Sequence, residues 1–238
     1  ANASFDNGYK YSEGISRGGV NDQGVAKRNL FKKSFDYQTN SNALLNINYK
    51  INSNHNIRIN SMLINSSSQK HDEFIRRSTF DRTTLLINQL LGEHKLTERI
   101  NFDWGVSYNM MKNIIPDRMQ NIFVPVDDSA PNGDLTVSVL NRSDNHRYYQ
   151  EMTDDEIAGN FNLSYKFGKN EDNKYKGKII AGYSARYKEI NFDATQFNFA
   201  INKNISQPVI DINNIDGYFN QNSYDANLFT ISTFNGCL

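Results

Sequence analysis

One cysteine, Cys237, and four prolines are spread over 238 residues, and no leader of basic and then apolar residues opens the chain. A lone cysteine excludes an internal disulfide framework and a cysteine-based zinc site. No stretch approaches the ~20 consecutive apolar residues that a membrane-spanning helix needs, so helical spanning is excluded. Neither sign of charge is in excess, with 26 basic against 26 acidic residues, and no Lys/Arg run stands out. The electrostatic footprint of a nucleic-acid partner is therefore missing. Without a leader, Ala1 reads as a processed start or as an internal point of a longer protein. Apolar residues make up only 38% of the chain. That figure suits a soluble, loop-rich protein, and equally a membrane barrel whose strands turn every second side chain to a wet lumen.

What the chain does have is alternation. In residues 96–110 the even positions Ile100, Phe102, Trp104, Val106, Tyr108 and Met110 are all apolar or aromatic. The odd positions Arg99, Asn101, Asp103, Gly105, Ser107 and Asn109 are polar or glycine. Period-two order of this kind belongs to a strand, because a helix would smear it over both faces. Its length suits a tilted outer-membrane strand of about 9–11 residues better than an ordinary strand of about five or six. The one charged even position, Glu98, lies beside a turn, where a charge is tolerated. Residues 157–167 repeat the rule, with Phe161, Leu163 and Tyr165 on the apolar side, and residues 179–187 do so with Tyr183. Tyr108, Phe167 and Tyr187 stand where interfacial aromatic girdles would fall. Weaker strands are expected at Leu45–Ile47–Tyr49–Ile51, at Ile57–Ile59–Leu63, over residues 84–91, and from Tyr224 with Ala226 and Leu228 on the outer side.

The connections are expected to alternate. Tight turns at 52–55, 92–95 and 168–177 face long polar stretches at 66–82, 112–156 and 188–223. Short turns on the periplasmic side and long loops outside are the habit of bacterial barrels. Strand 96–110 then runs outward and strand 157–167 inward. Pro116 is expected to end the former, because proline cannot donate to a ladder. About seven strands result, with residues 1–41 an extracellular loop or an unassigned further strand. Seven strands cannot close, and an open edge in lipid leaves backbone groups unpaired at several kcal/mol each. The expected fold is an all-β, transmembrane, antiparallel up-and-down barrel, of which residues 1–238 supply a part.

Phe102–Asp103–Trp104, the continuation Ser107–Tyr108–Asn109, and the step Ile115–Pro116–Asp117–Arg118 into a long loop resemble the barrel of Bacteroidetes-type TonB-dependent outer-membrane receptors, over roughly residues 42–238. The resemblance implies an outer-membrane location in a Gram-negative bacterium and a barrel of about 22 strands around a plug domain. It implies import driven by the energy-transducing TonB protein. The implied partners are the bilayer, the rest of the barrel and its plug, TonB, and a surface substrate-binding lipoprotein. No plug domain and no TonB-contact segment is recognisable in these residues.

The expected function is active import of a nutrient such as a glycan, peptide or chelated metal. The alternatives are a passive porin or small structural barrel, and a soluble all-β binding module whose strands pack as a sandwich. Arg58, Arg99, Asp103 and Arg186 are expected to line the lumen, as charged residues of any wet lumen would. Ile100, Phe102, Trp104, Val106, Tyr108, Phe161, Leu163, Tyr165 and Tyr183 are expected to face lipid. The acids Asp127, Asp128, Asp154, Asp155 and Glu156 match no calcium-loop spacing and read as solvated loop charge. His55, His71, His94 and His146 are scattered. Phe123, Tyr148 and Tyr149 of the 112–156 stretch could meet a ligand or pack within the loop. No nucleophile elbow or zinc-protease motif occurs, so neither a catalytic role nor a cofactor is expected.

Overall fold

Alternation of this length commits the backbone to extended structure, and the described residues of the computed structural model are accordingly nearly all antiparallel β-sheet. It describes residues 1–17, 29–72, 75–127, 133–169 and 175–237. Its strands are β1 (Asn2–Arg17), β2 (Asn29–Lys50), β3 (His55–Asp72), β4 (Ile75–Lys95), β5 (Ile100–Pro125), β6 (Leu135–Val137), β7 (His146–Lys169), β8 (Tyr175–Ile201) and β9 (Phe229–Cys237). All but β6 lie side by side in the order β1-β2-β3-β4-β5-β7-β8-β9, and β6 pairs with the far end of β5. Each pairing is antiparallel, so the chain runs up and down. The sheet is not closed and is compatible with an arc of a barrel.

One end of the sheet carries the tight turns. In the first, Asn52 Oδ1 accepts from the backbone of Asn54 at 2.8 Å and of His55 at 3.0 Å, the local bond by which asparagine imitates a backbone turn. The second turn lies at residues 96–99, not at 92–95 as the glycine suggested. Thr97 Oγ1 accepts from Arg99 N at 3.2 Å and Ile100 N at 3.0 Å, and Leu96 N donates to Ile100 O at 2.9 Å. Gly92 to Lys95 instead extend β4 against Trp104 to Asn101. The third hairpin closes at the pair Lys169↔Tyr175, next to Gly168, whose φ of +64° favours glycine.

At the other end the structure departs further from expectation. The stretches 66–82 and 112–156 are largely strand, and 188–223 is strand only as far as Ile201. β3 runs on to Asp72, β5 to Pro125 and β8 to Ile201 before any loop begins. Residues 1–41 supply β1 and much of β2, in a register that sets Tyr9 opposite Tyr37 and Tyr11 opposite Phe35. Pro116 does not end β5. The ladder to β4 breaks between Ile114 and Arg118, and the ladder to β7 between Ile115 and Arg118, so Pro116 and Asp117 form a bulge. A bulge leaves its extra residue outside the ladder, which is where a proline without an N–H does no harm. Ala226 and Leu228 precede the last strand, since residues 221–225 form the short helix α1 and β9 begins at Phe229.

A small apolar core closes this end. Phe123, Val137, Ile210, Ile215, Tyr218 and Phe229 are buried together, with Met119, Phe199 and Phe219 packed against them. Phe199 meets Phe219 at 5.3 Å and Phe229 at 5.8 Å, both edge-on, a favoured arrangement of aromatic rings. Burial pushes the Tyr218 phenol up to about 12, and its hydroxyl donates to Gln207 Oε1 at 2.5 Å.

Candidate functional site

Side chains alternate along a strand and stay aligned across a ladder, so registers alone decide which residues share a face. Ile47 pairs with Ile59, Ile59 with Leu90, Leu90 with Val106, Val106 with Gly159 and Gly159 with Ala185. A second row runs Trp104, Phe161, Tyr183, and a third runs Phe102, Leu163, Ala181. Ile100 faces Tyr165, and Tyr108 faces Ile157. The nine residues expected to face lipid share one continuous face of the sheet spanning β5, β7 and β8, which continues over β4, β3 and β2. Within this face the Phe161 ring lies tilted against Phe102 at 6.4 Å and against Tyr183 at 6.3 Å. Tyr183 is 65% exposed and Val106 49%, so the band is not covered by another part of the described chain.

The band has edges. Beyond Tyr108 and Tyr187, the same parity carries Lys112, Glu151, Asp155 and Glu189. Tyr108 Oη donates to Asp155 Oδ1 at 2.8 Å, and Lys112 Nζ pairs with Glu151 at 2.5 Å. At the turn end the band finishes in His94, Phe102, Tyr165 and Phe167. His55 and His94 prove to be cross-strand partners, with their Nδ1 atoms 3.0 Å apart, and Trp104 Nε1 donates to His94 Nε2 at 2.9 Å. The sequence hid this pair, because residues 92–95 looked like a turn and the register was unknown.

The opposite face is a polar ladder. Asn46 bonds Asn60, and Asn60 Nδ2 donates to Gln89 Oε1 at 3.3 Å, which ties β2, β3 and β4 together. Asn109 Nδ2 donates to Glu156 Oε1 at 3.0 Å, and Arg186 lies 3.7 Å from the same carboxylate. Arg58 pairs with Glu93, which stands opposite Asp103 in the ladder. Three of the four charged residues expected on this face, Arg58, Asp103 and Arg186, are therefore aligned there. Arg58 and Arg186 are already engaged by acids on the same face, so the three do not converge on one point. Arg99 lies in the turn instead, beside the phenols of Tyr165 and Tyr175.

Of the acids weighed for calcium, Asp154 pairs with Lys188 at 2.7 Å, while Asp155 and Glu156 are held as described above. Asp128 lies outside the described residues. Among the described residues no cluster of His, Cys, Asp and Glu gathers as metal ligands would. His71 stands opposite Ser78 in the ladder of β3 and β4.

Sequence inspection missed a group at the loop end of the polar face. Arg77 stands opposite Gln120, Arg118 opposite Tyr148, and Gln120 opposite His146. Arg77 Nε donates to Gln120 Oε1 at 2.9 Å, and the Arg118 guanidinium lies 4.3 Å over the Tyr148 ring. His146 Nδ1 meets Ser143 O at 2.7 Å, leaving Nε2 3.5 Å from Arg118. Burial pushes the His146 imidazole down, against the pull of the Ser143 carbonyl, and Arg118 and Arg77 push it further. The signal was hidden by the bulge at Pro116, which shifts the parity of everything beyond it.

No family model matches the chain, nor does any curated protein or solved structure.

Proposed function

We propose that this chain is barrel wall of a TonB-dependent outer-membrane receptor, and that the barrel imports a nutrient into a Gram-negative cell. The observation that carries the membrane part is the uncovered apolar face. It is continuous from β2 to β8, and on β5 it is 11 residues tall between Ile100 and Met110, against the ~9–11 that a tilted crossing needs. A hydrogen-bonded polar ladder lies behind it, as a wet lumen requires. Active rather than passive transport rests on the likeness of Phe102–Asp103–Trp104, Ser107–Tyr108–Asn109 and Ile115–Pro116–Asp117–Arg118 to that family.

Two measurements test the two parts. With Cys237 replaced by serine, single cysteines placed at Phe161 and at Asn160 are expected to differ, Phe161→Cys reacting only with a lipid-soluble maleimide and Asn160→Cys with a water-soluble one. Equal reaction from water, or a monodisperse protein in plain buffer, would favour the soluble all-β module. Uptake in cells lacking TonB is expected to stop. Undiminished uptake there would make the protein a passive porin.

A further inference from the structure

Among the described residues, two arginines stand side by side on the polar face with no acid in ion-pair distance. They are not the only such cations, since Lys166 and Lys178 also face each other across β7 and β8. Arg58, Lys112, Arg147, Lys169, Arg186 and Lys188 each have an acid within ion-pair distance. Arg77 and Arg118, neighbours across β4 and β5 on the polar face, have none among the described residues. Asp72 stands opposite Arg77 in the ladder and lies 3.9 Å from Lys70. Asp144 is turned away, accepting from Ser138 Oγ at 2.7 Å and from Asn141. A guanidinium carries five donors. Arg118 uses one, on His146 at 3.5 Å, and its buried Nε has no partner. Two cations held side by side repel each other, an arrangement that an added anion relieves.

We propose that Arg77 and Arg118, with the Tyr148 ring beneath the second, form a binding position for a carboxylate or phosphate group on a soluble ligand. Three features favour it over a chance cluster. Arg77 is anchored through Gln120, so its outer guanidinium nitrogens have a fixed position. Arg118 is braced flat by Tyr148, which sets the planar fork that oxyanions bind in two-pronged fashion. Next to them, Tyr148 Oη donates to Gln150 Oε1 at 2.7 Å, and Gln150 Nε2 donates to Asn113 Oδ1 at 2.8 Å. That row of amides can bond the neutral polar remainder of such a ligand. A lipid phosphate is the other source of the same chemistry. The cluster's parity argues for the soluble one, because these side chains lie on the face opposite the apolar band. Only that last step rests on the proposed barrel; the arginine pair itself does not.

The test uses the whole protein in detergent micelles, with inorganic phosphate and glucuronate as probes. Arginines are modified with phenylglyoxal and mapped by mass spectrometry. Either probe is expected to protect Arg77 and Arg118 and to leave Arg58 unchanged, a measurement that needs no variant. Arg118→Gln and Arg77→Gln are expected to weaken binding by about tenfold each, the loss of one charge-assisted bond, whereas Arg58→Gln leaves it intact. Equal modification with and without both probes, or equal loss in Arg58→Gln, would overturn the proposal. Protection by phosphatidylglycerol vesicles but not by either soluble probe would overturn it in favour of a lipid ligand. Protection in a protein that proves soluble without detergent would sink the barrel and keep the site.

Discussion

Gly92 shows how much a single side chain can matter on this wall. A Cβ there would overlap the Trp104 indole, which folds over the glycine to reach His94. Small-to-large changes at such a contact cost about 1–3 kcal/mol. Gly92→Val is therefore expected to displace the indole and lower the melting temperature. Trp104 is the only tryptophan, so its emission maximum reports the move directly. The faces make an equally local prediction. Phe161→Arg is expected to cost roughly 2–4 kcal/mol in a bilayer, as a charge on a lipid face does at mid-depth. Asn160→Arg, one residue away, is expected to change stability by less than about 0.5 kcal/mol. Urea titration of the two variants in liposomes separates them, and equal losses would mean that the faces are not chemically distinct.

Among elements, the bulge in β5 sets what the loop end presents. Deleting Asp117 would leave one residue of β5 opposite one of β4 and of β7, so Arg118 and Gln120 would keep their face while Pro116, which has no N–H, entered the ladder. Hydrogen exchange is expected to rise around Pro116 in that variant and to stay unchanged over residues 118–125, where Phe123 keeps its place among Val137, Ile210 and Phe229. His146, at the start of β7, gives this end a pH dependence. Burial holds its folded pKa down; Arg118 and Arg77 act in the same direction, and Ser143 O and Asp144 in the opposite one. The unfolded chain takes up a proton at about 6.5. Stability from the neutral imidazole is thus present above about pH 6.5 and falls as the pH drops below it. The protection of amides over residues 138–146, relative to their intrinsic exchange at each pH, is expected to fall on acidification, and His146→Gln to flatten that dependence.

These elements also show what could be read from the chain. The alternation in 96–110, 157–167 and 179–187 was plain because nothing interrupts it, and its apolar residues share one face of the sheet. The loop end was hidden for two physical reasons. Pro116 marks a bulge as readily as a stop, and past it the parity shifts, so Phe123 and Tyr148 no longer fall into a visible pattern. Strands rich in Ser, Asn and Lys, such as the first half of β2, carry little apolar contrast, and their strand character comes from the ladders on either side. The Arg77–Arg118 pair could not be found by spacing, because 41 residues and a register separate the two side chains.

Over the whole molecule, β5, β7 and β8 are 26, 24 and 27 residues long. A tilted crossing uses about 9–11 of them. At about 3.3 Å per residue, the rest amounts to roughly 45–60 Å of strand. If the proposed membrane is placed on the apolar band, that surplus rises beyond it on the loop side as a rigid parapet, not a fringe of loose loops. A solute would meet structured protein a membrane's thickness before it reached the lipid, and the Arg77–Arg118 pair sits on the inner side of that parapet.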